Sequence, residues 1–255
     1  MTERTLESEL GGIRALVLDI DDTILDTRAA MTEAGTHAAR ALWPESAGAH
    51  RDMARRYYDD PLRWFHRYVT GEISIERMRD ERLREVADAF GVHFPEDGAD
   101  RYLAAYWPAF RRAQRLFDDV PDLLATAARL GIDIALLTNS TTADTSIKLE
   151  ALGLAERFAD LIVTTDTFGF GKPDPRVYRE VCRLVGADPA VSVCIGDSLE
   201  WDVLGAMRAG MRAVWLDRGG HGEATAEVTR VGSLSEITAA LADGHGRFGT
   251  AAGDR

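Results

Sequence analysis

Alternation constrains this chain more than any other feature. Short apolar runs, each stopping at polar or acidic residues, alternate with segments of helical periodicity. The first run begins after Gly12 (IRALVLDIDDTILD). Others follow at Ile132 to Ser140, Ala159 to Asp166, Val191 to Ser198 and Arg212 to Asp217. Helical patterns lie between them at Pro121 to Leu130, Thr142 to Leu152, Pro175 to Val185 and Leu199 to Ala209. Gly131, Gly153, Gly186 and Gly210 follow those four segments, where a helix ends most easily on a left-handed residue. Continuous apolar runs are the mark of strands buried on both faces, and helices between them imply a parallel sheet covered on both sides. The reading is an α/β, Rossmann-like core.

One region breaks the rhythm. From Thr27 to Arg115 there are no β-branched apolar runs, and stretches such as Ile75 to Phe90 carry apolar residues at helical spacing. We read residues 27–115 as an all-helical domain inserted after the first strand. The core is then discontinuous, residues 1–26 and 116–242. Residues 243–255 are Gly-rich and read as a disordered tail.

Composition excludes several classes of function. The formal net charge is −12 over 255 residues, the wrong sign for a general nucleic-acid binder. No apolar run approaches the roughly 20 residues that span a bilayer, and the polar start MTERTLESEL does not read as a signal peptide. Cys182 and Cys194 fall in apolar contexts and read as buried thiols in a reducing compartment, so the expected location is cytoplasmic. The expected partner is a small phosphorylated metabolite, with the chain a monomer or a homodimer.

That partner follows from what stands at the strand ends, since ligands of open α/β sheets bind outside the carboxyl ends of the strands. After the first run come Asp19, Asp21, Asp22 and Thr23; after the second, Thr138, Asn139 and Ser140. The loop beyond the third holds Lys172, one of only two lysines in the chain, and the fourth ends in Gly196, Asp197 and Ser198 with Asp202 beyond. Each alone has a plain structural explanation as a cap or a solvated loop residue. Together, on one edge of one sheet, they have a chemical one. Gathered carboxylates repel each other and call for a cation, and a hard ion with oxygen ligands, Mg²⁺, suits them. Asp19 and Asp197 would offer carboxylate oxygens, and Asp21 its backbone carbonyl. Thr138, Asn139 and Lys172 would face the oxygens of a phosphoryl group.

The same residues carry a family resemblance. The DxDxT from Asp19 to Thr23, the strand-end Thr138, the Lys172-Pro173 pair and the GDxxxxD from Gly196 to Asp202 resemble the four motifs of the haloacid dehalogenase (HAD) superfamily. The helical insertion is similar to that superfamily's C1 cap. The resemblance implies that Asp19 is the nucleophile, Asp21 the general acid and base, Asp197 a metal ligand, and Asp202 a support for the metal site or its loop. Two positions depart from the common pattern: Asp22 stands where many relatives have glycine, and Trp201 where asparagine is common.

Several reactions use this scaffold. A carboxylate at Asp21 is what a phosphatase needs, first to protonate the leaving alkoxide and then to activate water; the dehalogenases lack it. Phosphonatases use a cap lysine, and residues 27–115 contain none. The expectation is therefore a Mg²⁺-dependent phosphomonoester hydrolase. A phosphosugar mutase and an inactive HAD-like binding protein are the alternatives. The aromatic and arginine residues of the insertion, among them Trp64, Arg67 and Trp107, read mainly as packing and solvated face, with a minority left to contact substrate.

Overall fold

The computed structural model describes residues 5–220, 222 and 227–248. Six strands, β1 (Ala15–Leu18), β2 (Asp133–Leu137), β3 (Ile162–Val163), β4 (Ser192–Gly196), β5 (Arg212–Leu216) and β6 (Thr229–Val231), form one sheet in the order β3-β2-β1-β4-β5-β6. Every pairing is parallel. All four side chains of β1 are fully buried, as expected for a strand covered on both faces. The chain runs outward from β1 to β3, then crosses back to β4 beside β1. The sheet therefore reverses its strand order between β1 and β4, the position at which such sheets open a crevice.

The helices are α1 (Leu6–Leu10), α2 (Thr27–Leu42), α3 (His50–Asp59), α4 (Trp64–Val69), α5 (Ile75–Phe90), α6 (Gly98–Ala113), α7 (Val120–Leu130), α8 (Thr142–Ala151), α9 (Ala155–Phe158), α10 (Pro175–Leu184), α11 (Gly205–Arg208) and α12 (Leu234–Phe248). The chain divides into two compact units. One comprises residues 1–25, 116–140 and 156–255, and the other residues 26–115 and 141–155.

The first unit holds the sheet. Its core on one face joins Val17, Ala135 and Cys194 of the strands to Val177, Tyr178 and Val181 of α10. Cys182 and Cys194 are both free thiols within that core. Instead of one continuous helix, residues Leu199–Leu204 wind as a π-helix before α11 begins. Such a widened turn re-aims side chains, and it often marks a functional position.

The second unit is helical. Its core is built on the small buried face of α2 (Ala30, Ala34, Ala38, Ala39) against Tyr57, Tyr102, Tyr106 and Phe110. The alanines leave room for the rings, and Tyr106 stacks on Phe110 with centroids 5.2 Å apart.

The structure departs from the sequence reading in three further places. Helix α8 groups with the helical unit, not with the sheet, because Arg79 reaches Asp144 at 2.6 Å, Arg111 reaches Glu150 at 3.2 Å, and Ile147 packs on the helical core. The tail was expected to be irregular from residue 243, yet α12 continues to Phe248, carrying Gly244 and Gly246 inside it. Residues 249–255 lie outside the described part. Strand β6 was not anticipated: three residues are too few to show a period, and only Thr229 and Val231 are buried.

Candidate active site

Asp19 and Asp197 are the first residues beyond β1 and β4. The two strands pair with Leu18 opposite Ile195, and the Asp19 N–H donates to the Ile195 carbonyl at 3.0 Å. Two aspartates 178 positions apart thus meet because two strands are neighbours. Asp202 arrives from the π-helix and passes behind the end of β4. A Cβ on Gly196 would lie 2.2 Å from its carboxyl, so only glycine leaves it room. The carboxylates of Asp19, Asp197 and Asp202 offer oxygens that lie within 4.8 Å of one another.

Lys172 enters the same cluster, and Asn139 places it. The Asn139 side chain accepts from the Lys172 N–H at 2.7 Å and donates to the Lys172 carbonyl at 3.1 Å. The lysine is 2% exposed, and its Nζ donates to Asp19 Oδ1 and to Asp202 Oδ1, both at 2.6 Å. Burying an ammonium costs several kcal/mol unless it is paired and hydrogen-bonded, which these two carboxylates accomplish. Sequence reasoning placed Asn139 with the phosphate-binding groups. Both ends of its side-chain amide meet the Lys172 backbone.

The other strand-end residues take distinct positions. Thr138 is buried, and its hydroxyl accepts the Ser140 N–H at 3.1 Å; a hydroxyl that accepts can still donate. Asp21 does not join the three-carboxylate group. Its carboxylate accepts from the Ser140 hydroxyl at 3.0 Å, which turns it toward the end of β2. Asp202 uses one oxygen for Lys172 and the other for the Ser198 N–H at 2.9 Å. Thr23 ties the two ends of the site together, because its hydroxyl accepts the Asp197 N–H at 3.1 Å.

Asp22 has a backbone reason for being unusual. Its φ is 58°, in the left-handed region that glycine adopts freely and aspartate tolerates better than most residues. The turn closes with the Asp22 N–H on the Leu25 carbonyl at 2.8 Å. Trp201 stands on the π-helix, where its carbonyl accepts the Tyr178 hydroxyl.

Electrostatically the cluster is short of positive charge. Burial pushes Asp19 from 3.8 up to about 7, and the charges of Asp202 and Asp21 add to the rise, while Lys172 opposes it. Asp197 is an exposed residue whose carboxyl is nevertheless crowded by protein. Burial raises it to about 9, assisted by Asp19, Asp202 and Asp22. Burial would lower the lysine, but Asp19 and Asp202 outweigh it and hold Lys172 well above its usual value. One ammonium cannot neutralise three carboxylates.

This donor set fits a hard divalent cation. It is all carboxylate oxygen, without the imidazole or thiolate that softer metals prefer. Both oxygens of Asp202 are engaged by protein, which leaves Asp19 and Asp197 with the freer carboxylate oxygens. No single position advertises this; the signal is the meeting of four segments.

An open parallel sheet carries an acidic cluster and a buried lysine at its switch point, where such sheets bind their ligands. The comparisons with known proteins make the class specific. The family model for haloacid dehalogenase-like hydrolases matches residues 13–210, and the chain belongs to that family as a phosphatase-type member. It is 34% identical over 254 residues to a phosphoserine phosphatase of Thermus thermophilus, an alignment covering 88% of this chain and 98% of that protein. A phosphoglycolate phosphatase of Mesorhizobium japonicum is 29% identical over 206 residues, covering 80% and 82% of the two chains. Among solved structures, a HAD-hydrolase of Bacillus subtilis bound to magnesium matches in fold with a TM-score of 0.71 at 24% identity, over 90% of this chain and 98% of that one.

Proposed function

We propose that this protein is a Mg²⁺-dependent phosphomonoester hydrolase that acts on a small phosphorylated metabolite through an aspartyl-phosphate at Asp19. The observation that carries the reading is the charge imbalance at the sheet's switch point. Three carboxylates lie within 4.8 Å of one another around a single buried lysine. Such a cluster invites both a cation and the phosphoryl group that a cation accompanies.

The residues divide the work as follows. The Asp19 carboxylate attacks phosphorus, and the bond from phosphorus to the substrate oxygen breaks. Asp21, as the carboxylic acid, passes its proton to that departing oxygen. The Asp21 carboxylate then takes a proton from water, whose oxygen attacks the aspartyl-phosphate. The phosphorus–oxygen bond to Asp19 breaks, releasing orthophosphate and restoring both carboxyl groups. The Ser140 hydroxyl at 3.0 Å holds Asp21 in place for both transfers. Lys172 and the Thr138 hydroxyl bind the phosphoryl oxygens, with Asn139 fixing the lysine. Asp19, Asp197 and the Asp21 carbonyl would hold Mg²⁺, which would neutralise charge on the transferring group.

The helical unit is proposed as the substrate-selecting cap. A mutase would share the motif residues, but the phosphatase names of the relatives favour hydrolysis, and the complete residue set argues against an inactive protein. Phosphoserine, phosphoglycolate and glyceraldehyde 3-phosphate are the first compounds to try, since relatives carry those names. The test is phosphate release from a panel of phosphomonoesters with Mg²⁺ and after exhaustive chelation. Turnover of at least one compound that vanishes on chelation is expected, and undiminished turnover without metal would overturn the reading.

A further inference from the structure

Beyond the four motifs, we propose that Arg218, held by Asp119, is a positioning residue that sets the spacing between the motif-one turn and Asp197. Neither residue belongs to a motif, and they lie 99 positions apart.

The geometry is that of a fork. Arg218 Nη1 donates to Asp119 Oδ2 at 2.9 Å, and Nη2 donates to Oδ1 at 2.8 Å. The same Nη2 donates to the Thr23 carbonyl at 2.9 Å. The guanidinium also lies over the Phe117 ring, 3.8 Å from its centroid. Asp119 is fixed in turn, since its Oδ2 accepts the Leu234 N–H at 2.8 Å. Both side chains are largely shielded, 19% and 11% exposed. A bidentate pair of this kind orients as well as attracts, and a lysine cannot reproduce the planar fork.

The fork matters because of what Thr23 does next. Its carbonyl is fixed by Arg218, while its hydroxyl accepts the Asp197 N–H at 3.1 Å. The Asp197 carbonyl accepts from Trp215 Nε1 at 2.8 Å. The end of β5 therefore reaches the acidic cluster twice, through Trp215 directly and through Arg218 by way of Thr23. Asp197 is one of the two freer carboxylates in the cluster. Its distance from Asp19 depends on the Thr23 link, because Thr23 sits four residues beyond Asp19 on the same turn. Outer residues that orient metal ligands typically change metal affinity by about 10- to 100-fold when altered. Arg218 would do so without touching the cation or the substrate.

The inference rests on the cation-binding reading above, and the experiment separates the two. Mg²⁺ binding to the metal-free full chain is measured by titration calorimetry for the unaltered protein, Arg218→Lys and Asp119→Asn. Metal-free melting temperatures are recorded in parallel. We expect Arg218→Lys to weaken Mg²⁺ about tenfold. Asp119→Asn should do the same to a smaller degree, and the double variant should fall short of the product of the two effects, because both act through one fork. Arg218→Lys and Asp119→Asn variants that lose melting temperature but bind Mg²⁺ as tightly as the unaltered protein would show a purely structural pair and overturn the inference. If Arg218→Lys does not fold, Asp119→Asn, which keeps the acceptor for the Leu234 N–H, decides by the same readout. Absence of Mg²⁺ binding in the unaltered protein would instead overturn the proposed function.

Discussion

Both units bury cations among the described residues, and two of these, Arg82 of the helical unit and Lys172 of the sheet unit, are placed differently. In the helical unit Arg82, 7% exposed, lies over the Tyr57 ring at 4.2 Å and donates to the carbonyls of Tyr57 and Tyr58. It faces one carboxylate, Asp60, at 3.8 Å, and Asp60 in turn accepts the N–H groups of Trp64 and Phe65. Charge there is matched one to one, and the arrangement fastens α3, α4 and α5 together. In the sheet unit Lys172 is shared by Asp19 and Asp202, while Asp197 stands in the same cluster without a cation of its own. Balanced buried charge holds a fold; unbalanced buried charge is tolerated where a ligand completes it. The comparison teaches which arginines and lysines to read as chemistry and which as architecture.

Asp19→Asn should break the comparison hardest. The amide keeps the shape and can still meet Lys172, but it has no nucleophilic anion. Turnover should fall by about 10⁴-fold or more, measured as phosphate release with deamidation excluded by mass spectrometry. On the other side, Arg82→Leu should cost about 3 kcal/mol of stability by leaving Asp60 and the carbonyls without their partner. Denaturant unfolding would show this. Hydrolysis of a small aryl phosphate per folded molecule should stay within about twofold, because Arg82 belongs to architecture.

The imbalance also predicts a pH dependence for the metal-free protein. Asp19 and Asp197 titrate from 3.8 up to about 7 and about 9 when folded. The folded state thus holds protons that the unfolded state has released, and stability must fall as pH rises through that window. The melting temperature should decline from about pH 5 to about pH 9 without metal, and Mg²⁺ should flatten the slope. A flat metal-free profile would mean that the cluster bears no excess charge. The smallest effect concerns Asp22, whose φ of 58° favours glycine. Asp22→Gly should stabilise the turn by about 1 kcal/mol, seen as a rise of about 2–4 °C in melting temperature.

The sheet unit was legible in the sequence for a physical reason. Strands buried on both faces must be apolar throughout, so their ends are marked by the first polar residue. Asp19, Thr138 and Asp197 could therefore be singled out at three strand ends, and Lys172 in the loop beyond the third strand. What escaped was long-range pairing. Nothing local to Asn139 shows that its amide would grip the Lys172 backbone, and nothing near Arg218 points to Asp119 or Thr23. The grouping of α8 with the helical unit depends on Arg79 and Arg111 reaching across 65 and 39 positions. In the helical unit the aromatic residues carried little functional signal, because Tyr57, Tyr102 and Tyr106 are core.

The central claim is that the unbalanced cluster makes Asp19 a nucleophile served by Asp21, and Asp21→Asn tests it most directly. The amide at position 21 removes the acid and the later base while leaving Asp19 intact. Loss should be about 100- to 10,000-fold on an alkyl phosphate and smaller for attack on a nitrophenyl phosphate, whose phenoxide leaves unaided. The intermediate should then accumulate. Rapid quench of this variant with labelled aryl phosphate and Mg²⁺ should trap one hydroxylamine-sensitive label per site, mapping to Asp19. Equal slowing of both substrates with no trapped label, or a label on any other residue, would contradict the account.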